Sequence, residues 1–267
     1  MQFSVLISVY FREQAELLDK ALESVLINQT LRPCELVLVA DGLLTRELYS
    51  VINKYRELFP SLKLVQLPQN IGLGKALNEG LKHCSCEWVA RMDSDDISMI
   101  NRFEKQTLYI KEHADVDVLG TALFEFETNP SETIAVKRCP KDIESYIKFR
   151  SPLNHPTVMY KKSSVLSVGG YVHCPFMEDY HLWIRMYSAG FKLTSLQDPL
   201  YLFKMDVDTF QRRGGWQYVK SEYIIQKLLL SHQIISVPRF FMNVAIRCSA
   251  RLVPNLLRAF LYRFFLR

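Results

Sequence analysis

From residue 3 to residue 92 the chain alternates short, β-branched or leucine-rich runs with segments whose apolar residues recur every three or four positions. This alternation constrains the fold more than any other feature. Residues 3–9 read as a strand, and Leu17, Leu18, Ala21, Leu22, Val25 and Leu26 follow at helical spacing. The same order repeats: a strand over 35–40, a polar helical stretch through Tyr55, a strand over 63–67, a helix over 74–82 and a strand over 87–92. Strands separated by helices build βαβ units. Apolar runs of this kind, rather than strict alternation, mark strands buried on both faces of a mostly parallel sheet. With 267 residues, 49% of them hydrophobic, the chain can bury such a core in one domain or one domain with a small appendage.

Beyond Asn101 the pattern loosens. A helix is expected over 102–113, a strand over 116–126, a polar loop over 128–133, and then turns with one plain helical stretch over 179–189 that stops at Gly190. From Tyr218 onward the sequence is helical in character, with apolar pairs interrupted by arginines. The formal charge of +5 is a mild excess, short of the bias of a nucleic-acid binder. Much of it falls in Arg239, Arg247, Arg251, Arg258, Arg263 and Arg267. Such a basic amphipathic segment can either lie in the surface of an anionic membrane or pack on the preceding domain, and both readings stay open. No apolar run reaches the about 18 residues of a membrane span. The start, Met1-Gln2-Phe3-Ser4-Val5, has none of the parts of a signal peptide, so a cytoplasmic chain is expected. Six cysteines without CxxC spacing fit free, mostly buried thiols better than zinc or a disulfide framework.

Open α/β sheets bind ligands just beyond the carboxyl ends of their strands. Three polar motifs fall there: Asp41-Gly42, the run from Gln69 to Lys75, and Asp93-Ser94-Asp95-Asp96. Three carboxylates in four positions repel one another, and hard oxygen ligands of this sort suit Mg²⁺ or Mn²⁺. A solvated turn with a helix cap is the alternative reading of such a run. Gly42 permits close backbone approach, while the Asp41 carboxylate can accept hydrogen bonds from a base or sugar. Lys75 stands where helix N-terminal amides help bind an anion. Glu178-Asp179 opens a helix, where the dipole favours an ionised carboxylate; either a general base or an N-terminal cap meets that description. His155 is a lone histidine in the region facing any second substrate, and Trp183 and Leu182 fit a core as readily as a ligand contact.

Taken in order, Ser8-Val9-Tyr10, Ala40-Asp41-Gly42, Asn70 to Asn78, Met92 to Asp96 and Glu178 to Trp183 resemble the family 2 glycosyltransferases of the GT-A fold. Bacterial enzymes that build exopolysaccharide and O-antigen units are the most similar members. The resemblance spans roughly residues 3–190. It implies an α/β fold of GT-A (Rossmann-like) type, a mixed, mostly parallel sheet flanked by helices, with a C-terminal helical extension. Residues 1–215 would form the catalytic domain, 1–100 its nucleotide-binding half and 101–215 its acceptor-side half, with 216–267 the amphipathic extension. It further implies that Asp41 binds the base, Lys75 the nucleotide and Asp93 the ribose, with Ser8, Tyr10 and Asn78 lining the donor site and Asp95 ligating Mn²⁺ or Mg²⁺. Asp179 would be the base of an inverting transfer, oriented by Glu178, and Arg212 and Arg213 a lid over the diphosphate. His155 and Trp183 would face the acceptor.

The implied substrates are a sugar nucleotide, commonly of UDP, and a lipid-linked or oligosaccharide acceptor, with the enzyme peripheral on the inner face of a bacterial plasma membrane. Three departures matter. Asp41 stands alone where many relatives pair acids, the Gln-x-x-Arg-Trp motif of processive relatives is absent, and the late metal-binding histidine has no counterpart unless Asp206 serves. A single addition per acceptor is therefore expected. The rival readings are a nucleotidyltransferase, which would carry a glycine-rich loop near the first strand, and an inactive sugar-nucleotide or membrane-binding module.

Overall fold

The computed structural model describes residues 1–205 and 215–252, with side chains through 249. Nine strands form one sheet, in the order β3-β2-β1-β4-β8-β6-β9-β5, with β7 paired to β6. The first four are β1 (Phe3–Val9), β2 (Glu35–Ala40), β3 (Leu62–Gln66) and β4 (Trp88–Met92), which run parallel to one another. They are joined by α1 (Ala15–Leu26), α2 (Arg46–Leu58) and α3 (Leu73–His83). The chain runs outward from β1 through β2 to β3 and then returns to the other side of β1 as β4. That reversal makes the β1/β4 crevice a topological switch point, where such sheets bind ligands.

β1 and β2 are buried nearly end to end, as their unbroken apolar runs require. Two apolar clusters flank the sheet. One face carries Leu6, Val37, Val39 and Val89 against α3 and against α7 (Glu178–Ser188); the other carries Val5, Ile7, Leu36 and Leu38 against α1 and α2.

The second half adds β5 (Ile97–Ser98), α4 (Arg102–Glu112), β6 (Val116–Phe126), β7 (Thr133–Lys137), α5 (Ile143–Ile147), β8 (Met159–Lys161), α6 (Lys162–Ser167) and β9 (Lys192–Lys204). β8 pairs antiparallel with both β4 and β6, which gives the sheet its mixed character. Two expectations change here. The loop over 128–133 ends in strand β7, and the region read as turns closes with a 13-residue strand, β9. Asp198-Pro199 hid β9, because proline lacks the ladder N–H; the structure absorbs it as a register shift against Thr121 and Ala122 of β6.

The extension forms α8 (Trp216–Ser231) and α9 (Val237–Leu252). The two helices pack on one another, and α8 packs on α7. Arg247, one of the late arginines of the basic amphipathic segment, pairs with the fully buried Glu222 of α8. A carboxylate in an apolar interface requires that cation. Among the described residues no helix is long and apolar enough to cross a membrane.

Candidate active site

The acidic run leaves the end of β4 and is folded back by β5, which pairs with Tyr201 and Leu202 of β9. Carboxylate oxygens of Asp93, Asp95 and Asp96 all lie within 4.8 Å of one another. Each is fixed differently. Asp93 pairs with Arg91, its Oδ1 2.5 Å from Nη2, and its backbone N–H donates to the Tyr201 hydroxyl at 3.1 Å. Asp96 is buried and accepts the Lys204 N–H through Oδ1 at 2.7 Å. Its Oδ2, also buried, has no hydrogen-bond partner among the described residues. Burial pushes the Asp95 carboxyl up to about 7, with the charges of Asp93 and Glu13 adding to the effect. Burial, then Asp95 and Asp93, hold Asp96 well above the usual carboxylate range.

Such a triad fits a hard divalent cation. Three oxygen donors converge, one buried oxygen has no hydrogen-bond partner among the described residues, and like charges raise a cost that a cation removes. Asp96 ties the acidic turn to β9 through its bond to the Lys204 N–H, and one of its carboxylate oxygens lies within 4.8 Å of oxygens of Asp93 and Asp95.

The residues expected to line the donor site lie at the ends of β1 and β2 and in α3. Ser8 is the penultimate residue of β1, and Tyr10 follows that strand half-exposed. Asp41 is buried; its two oxygens accept the N–H groups of Ile71 and Gly72 at 2.7 and 3.0 Å. It thus shapes the loop that enters α3. Gly42 lies against that loop at φ 91°, where an added Cβ would sit 2.8 Å from the Asn70 nitrogen. Lys75 is exposed in the first turn of α3. Asn78 is engaged elsewhere: its amide donates to the Tyr171 carbonyl at 2.7 Å and accepts the Tyr171 N–H at 2.8 Å.

That clamp sets the other wall. Gly74 is close enough to α7 that a Cβ on it would meet Glu178 Cγ at 3.1 Å, so the α3 loop and the α7 carboxylates adjoin. Asp179 accepts a hydrogen bond from Ser151 Oγ at 3.0 Å. Burial raises both carboxyls, Glu178 to about 7, while the Ser151 bond and the charges of Lys137 and Arg91 pull Asp179 back down. A carboxylate held between these opposing influences can accept a proton when ionised. His155 bonds the Tyr171 hydroxyl through Nε2 at 2.9 Å, and burial holds it well below the usual imidazole range, hence neutral. Trp183 is fully buried, edge-on to His155, and offers no surface to an acceptor. Arg212, Arg213 and Asp206 lie outside the described residues.

Four contributors escaped the motif reading. Glu13 accepts from Ser94 Oγ at 2.7 Å and adds a fourth carboxylate beside the triad. Arg91 is the buried countercharge, Tyr201 braces the acidic turn from β9, and Ser151 orients Asp179. Only Arg91 left a sequence signal, as an arginine inside a five-residue buried strand.

Residues 4–165 match the profile of Glycosyl transferase family 2. The amylovoran biosynthesis glycosyltransferase AmsE of Erwinia amylovora is 41% identical over 97% of this chain and 97% of its own length. The UDP-Gal:alpha-D-GlcNAc-diphosphoundecaprenol beta-1,3-galactosyltransferase of Escherichia coli is 37% identical over 98% of this chain and 95% of its own. Among solved structures, S. aureus TarS 1-349 in complex with UDP-GlcNAc superposes with a TM-score of 0.70 at 21% identity, covering 99% of this chain and 73% of that one.

Proposed function

The chain belongs to glycosyl transferase family 2, and from that premise we propose that it moves one sugar per cycle from a UDP-sugar to a lipid-linked saccharide, inverting the anomeric centre. It is a glycosyltransferase, related over nearly its whole length to enzymes of bacterial surface-polysaccharide synthesis. The observation that carries the reading is the meeting, at the β1/β4 switch point, of an oxygen triad and a separately held carboxylate pair. The named donor and acceptor of the Escherichia coli relative, UDP-galactose and a diphosphoundecaprenol-linked sugar, support the substrate classes.

Asp41, by holding the loop at 71–72, forms the floor against which the base lies. Arg91 fixes one oxygen of Asp93 and leaves the other to the ribose. Lys75 brings positive charge to the diphosphate. Asp95, with Asp96 beside it, would hold Mn²⁺ or Mg²⁺, which when bound would stabilise the charge that develops on the leaving diphosphate. Asp179 accepts the acceptor hydroxyl's proton as that oxygen bonds to the anomeric carbon; the carbon–phosphate-oxygen bond breaks and its electron pair leaves with the nucleoside diphosphate. Ser151 holds Asp179 in place, and Glu178 at about 7 orients the acceptor.

Residues 1–100 serve the donor, 101–215 the acceptor, and 216–267 keep the enzyme at the inner face of the plasma membrane. The test is a panel of sugar nucleotides with Mn²⁺ and a synthetic sugar-diphosphate-lipid acceptor, the product linkage being read by NMR. Transfer from a UDP-sugar with inversion is expected. Retention of configuration, or transfer from none of the donors, overturns the proposal. Release of pyrophosphate from a nucleoside triphosphate and a sugar phosphate would instead establish a nucleotidyltransferase.

A further inference from the structure

The chain enters α7 through a tight turn that holds an aromatic ring in a strained place. Cys174-Pro175-Phe176-Met177 closes with the Met177 N–H donating to the Cys174 carbonyl at 2.8 Å, and Phe176 stands at φ 69°. Proline second and a positive φ third are the pattern of a type II turn, whose third position normally belongs to glycine or asparagine because a Cβ is crowded there. Bulky residues kept in such conformations gather at ligand clamps. Glycine would relieve the backbone, so the position is set by the ring. Packing explains one face of that ring: it stacks on Tyr218 of α8, the planes 14° apart and the centroids 5.4 Å. Tyr218 is buried, yet Phe176 remains 45% exposed. A ring braced on one face and still nearly half-exposed offers a flat apolar surface to a ligand.

What lies beside the ring narrows the ligand. Glu178 follows two residues on and Asp179 three. The backbone N–H groups of Met177 and Phe176 face the Glu178 carboxylate and, with that of Glu178 itself, oppose the rise that burial gives it. The turn therefore wraps the carboxylate and sets the ring next to it. A purely apolar ligand gains nothing from that neighbour. A saccharide meets both at once, because its C–H groups present an apolar patch to an aromatic face while the hydroxyls along its edge donate to a carboxylate. We propose that Phe176 is the platform on which the sugar of the acceptor stacks, with Tyr218 bracing it from behind and Glu178 taking the sugar's edge. Calling that saccharide the acceptor rests on the function proposed above; the saccharide platform itself does not.

The placement has a consequence for selectivity. Glu178 also adjoins Gly74 at the start of α3, where an added Cβ would lie 3.1 Å from its Cγ. A sugar stacked on Phe176 and bonded to Glu178 is thereby carried to the wall that the donor loop shares. Stacking fixes the plane of the sugar and is present before and during transfer alike, so it acts on acceptor affinity and leaves the chemical step alone. It favours acceptors with one unbroken C–H face and is indifferent to whatever the sugar is attached to.

The test uses the full chain with UDP and Mg²⁺ and two probes, GlcNAc diphosphate carried on a short alkyl chain and the same alkyl diphosphate without the sugar. Phe176→Gly suits the backbone of the turn, so it removes the ring without adding strain, and Phe176→Tyr keeps the ring. Calorimetric titration should show the sugar probe weakened by about three- to tenfold in Phe176→Gly and within about twofold of wild type in Phe176→Tyr, while the sugar-free probe binds all three proteins alike. In transfer assays Phe176→Gly should raise the acceptor KM by the same factor, with kcat and the donor KM near wild type. Equal sugar affinity in wild type and Phe176→Gly overturns the proposal. So does an equal weakening of the sugar-free probe or of the donor, because the ring would then shape the loop rather than hold the sugar. The two readings fail separately. Wild-type protein that binds the sugar probe through Phe176 yet transfers from no sugar nucleotide removes the proposed function and leaves a saccharide platform, whereas transfer by Phe176→Gly with an unchanged acceptor KM removes the platform and leaves the function.

Discussion

The Nη2 of Arg91 lies 2.5 Å from Oδ1 of Asp93, so the acidic turn rests on a cation that is itself sealed beneath the sheet end. The guanidinium gives Nη2 to this pair, while its Nε and Nη1 have no hydrogen-bond partner among the described residues. Replacing it with an apolar side chain leaves Asp93 beside Asp95 and Asp96 without a countercharge. Breaking a buried pair costs about 3–5 kcal/mol, and the partial exposure of Asp93 puts Arg91→Met near the lower end, about 3 kcal/mol. Urea denaturation without metal should show this loss. Arg91→Lys should recover only part of it, because an ammonium cannot reproduce the fork geometry. A variant Arg91→Met as stable as wild type would mean that the triad draws its countercharge from elsewhere.

Asp95 and Asp179 should fail in different assays. The triad's oxygens converge within 4.8 Å, so Asp95→Asn removes a hard ligand and should abolish the thermal stabilisation that Mn²⁺ with UDP gives the wild type. Asp179 belongs to α7 and bonds Ser151, so Asp179→Asn should keep that stabilisation while kcat falls by about 10²–10⁴-fold. Loss of metal-linked stabilisation in Asp179→Asn, or its survival in Asp95→Asn, would reverse the assignments.

The parallel half of the fold was legible because strands buried on both faces need unbroken apolar runs, as in Leu36 to Ala40, and amphipathic helices need a 3.6-residue repeat, as in Leu18 to Leu26. The site's outline followed from the rule that ligands gather at strand ends. What stayed hidden depends on long-range contact. Ser151 reaches Asp179 across 28 positions and Tyr201 reaches Asp93 across 108, and no local pattern encodes either. Asn78 looked like a donor-site residue by its neighbours in sequence, yet its amide closes on the Tyr171 backbone. α9 was legible as a helix but not in its pairing: Arg247 reads as one of a run of arginines, yet it closes on the buried Glu222 of α8.

The Asn78 clamp can be tested on its own. Its two hydrogen bonds hold Tyr171, whose hydroxyl bonds His155, and Gly170 fits beneath it so closely that an added Cβ would sit 2.5 Å from Asn78 Oδ1. Asn78→Ala leaves a backbone donor and acceptor without partners and should cost about 1–3 kcal/mol. Asn78→Asp keeps the acceptor but cannot donate to the carbonyl, so it should be destabilised as well. If either variant loses donor affinity with no loss of stability, Asn78 acts on the nucleotide directly.

The α7 carboxylates give the pH dependence its sign. Asp179 must be ionised to accept a proton, and burial raises its pKa, while Glu178 beside it is raised to about 7. kcat/KM should therefore climb with pH and level off once Asp179 is ionised, at a higher pH than an ordinary carboxylate would give. Ser151 donates to the charged form of Asp179, so Ser151→Ala should move this limb to higher pH, and a limb that stays put would show that the bond does not tune the base. Stability carries the opposite slope. A Glu178 raised from an ordinary value of about 4.3 keeps its proton in the folded chain where the unfolded chain has lost it, so its contribution is full at low pH and fades as pH rises through about 7. Urea midpoints should fall between about pH 4 and pH 7 in the wild type, where the unfolded chain has lost the proton that Glu178 keeps, and less so in Glu178→Gln, which has no proton to lose there. A Gln variant with the same slope would place the titration on another group.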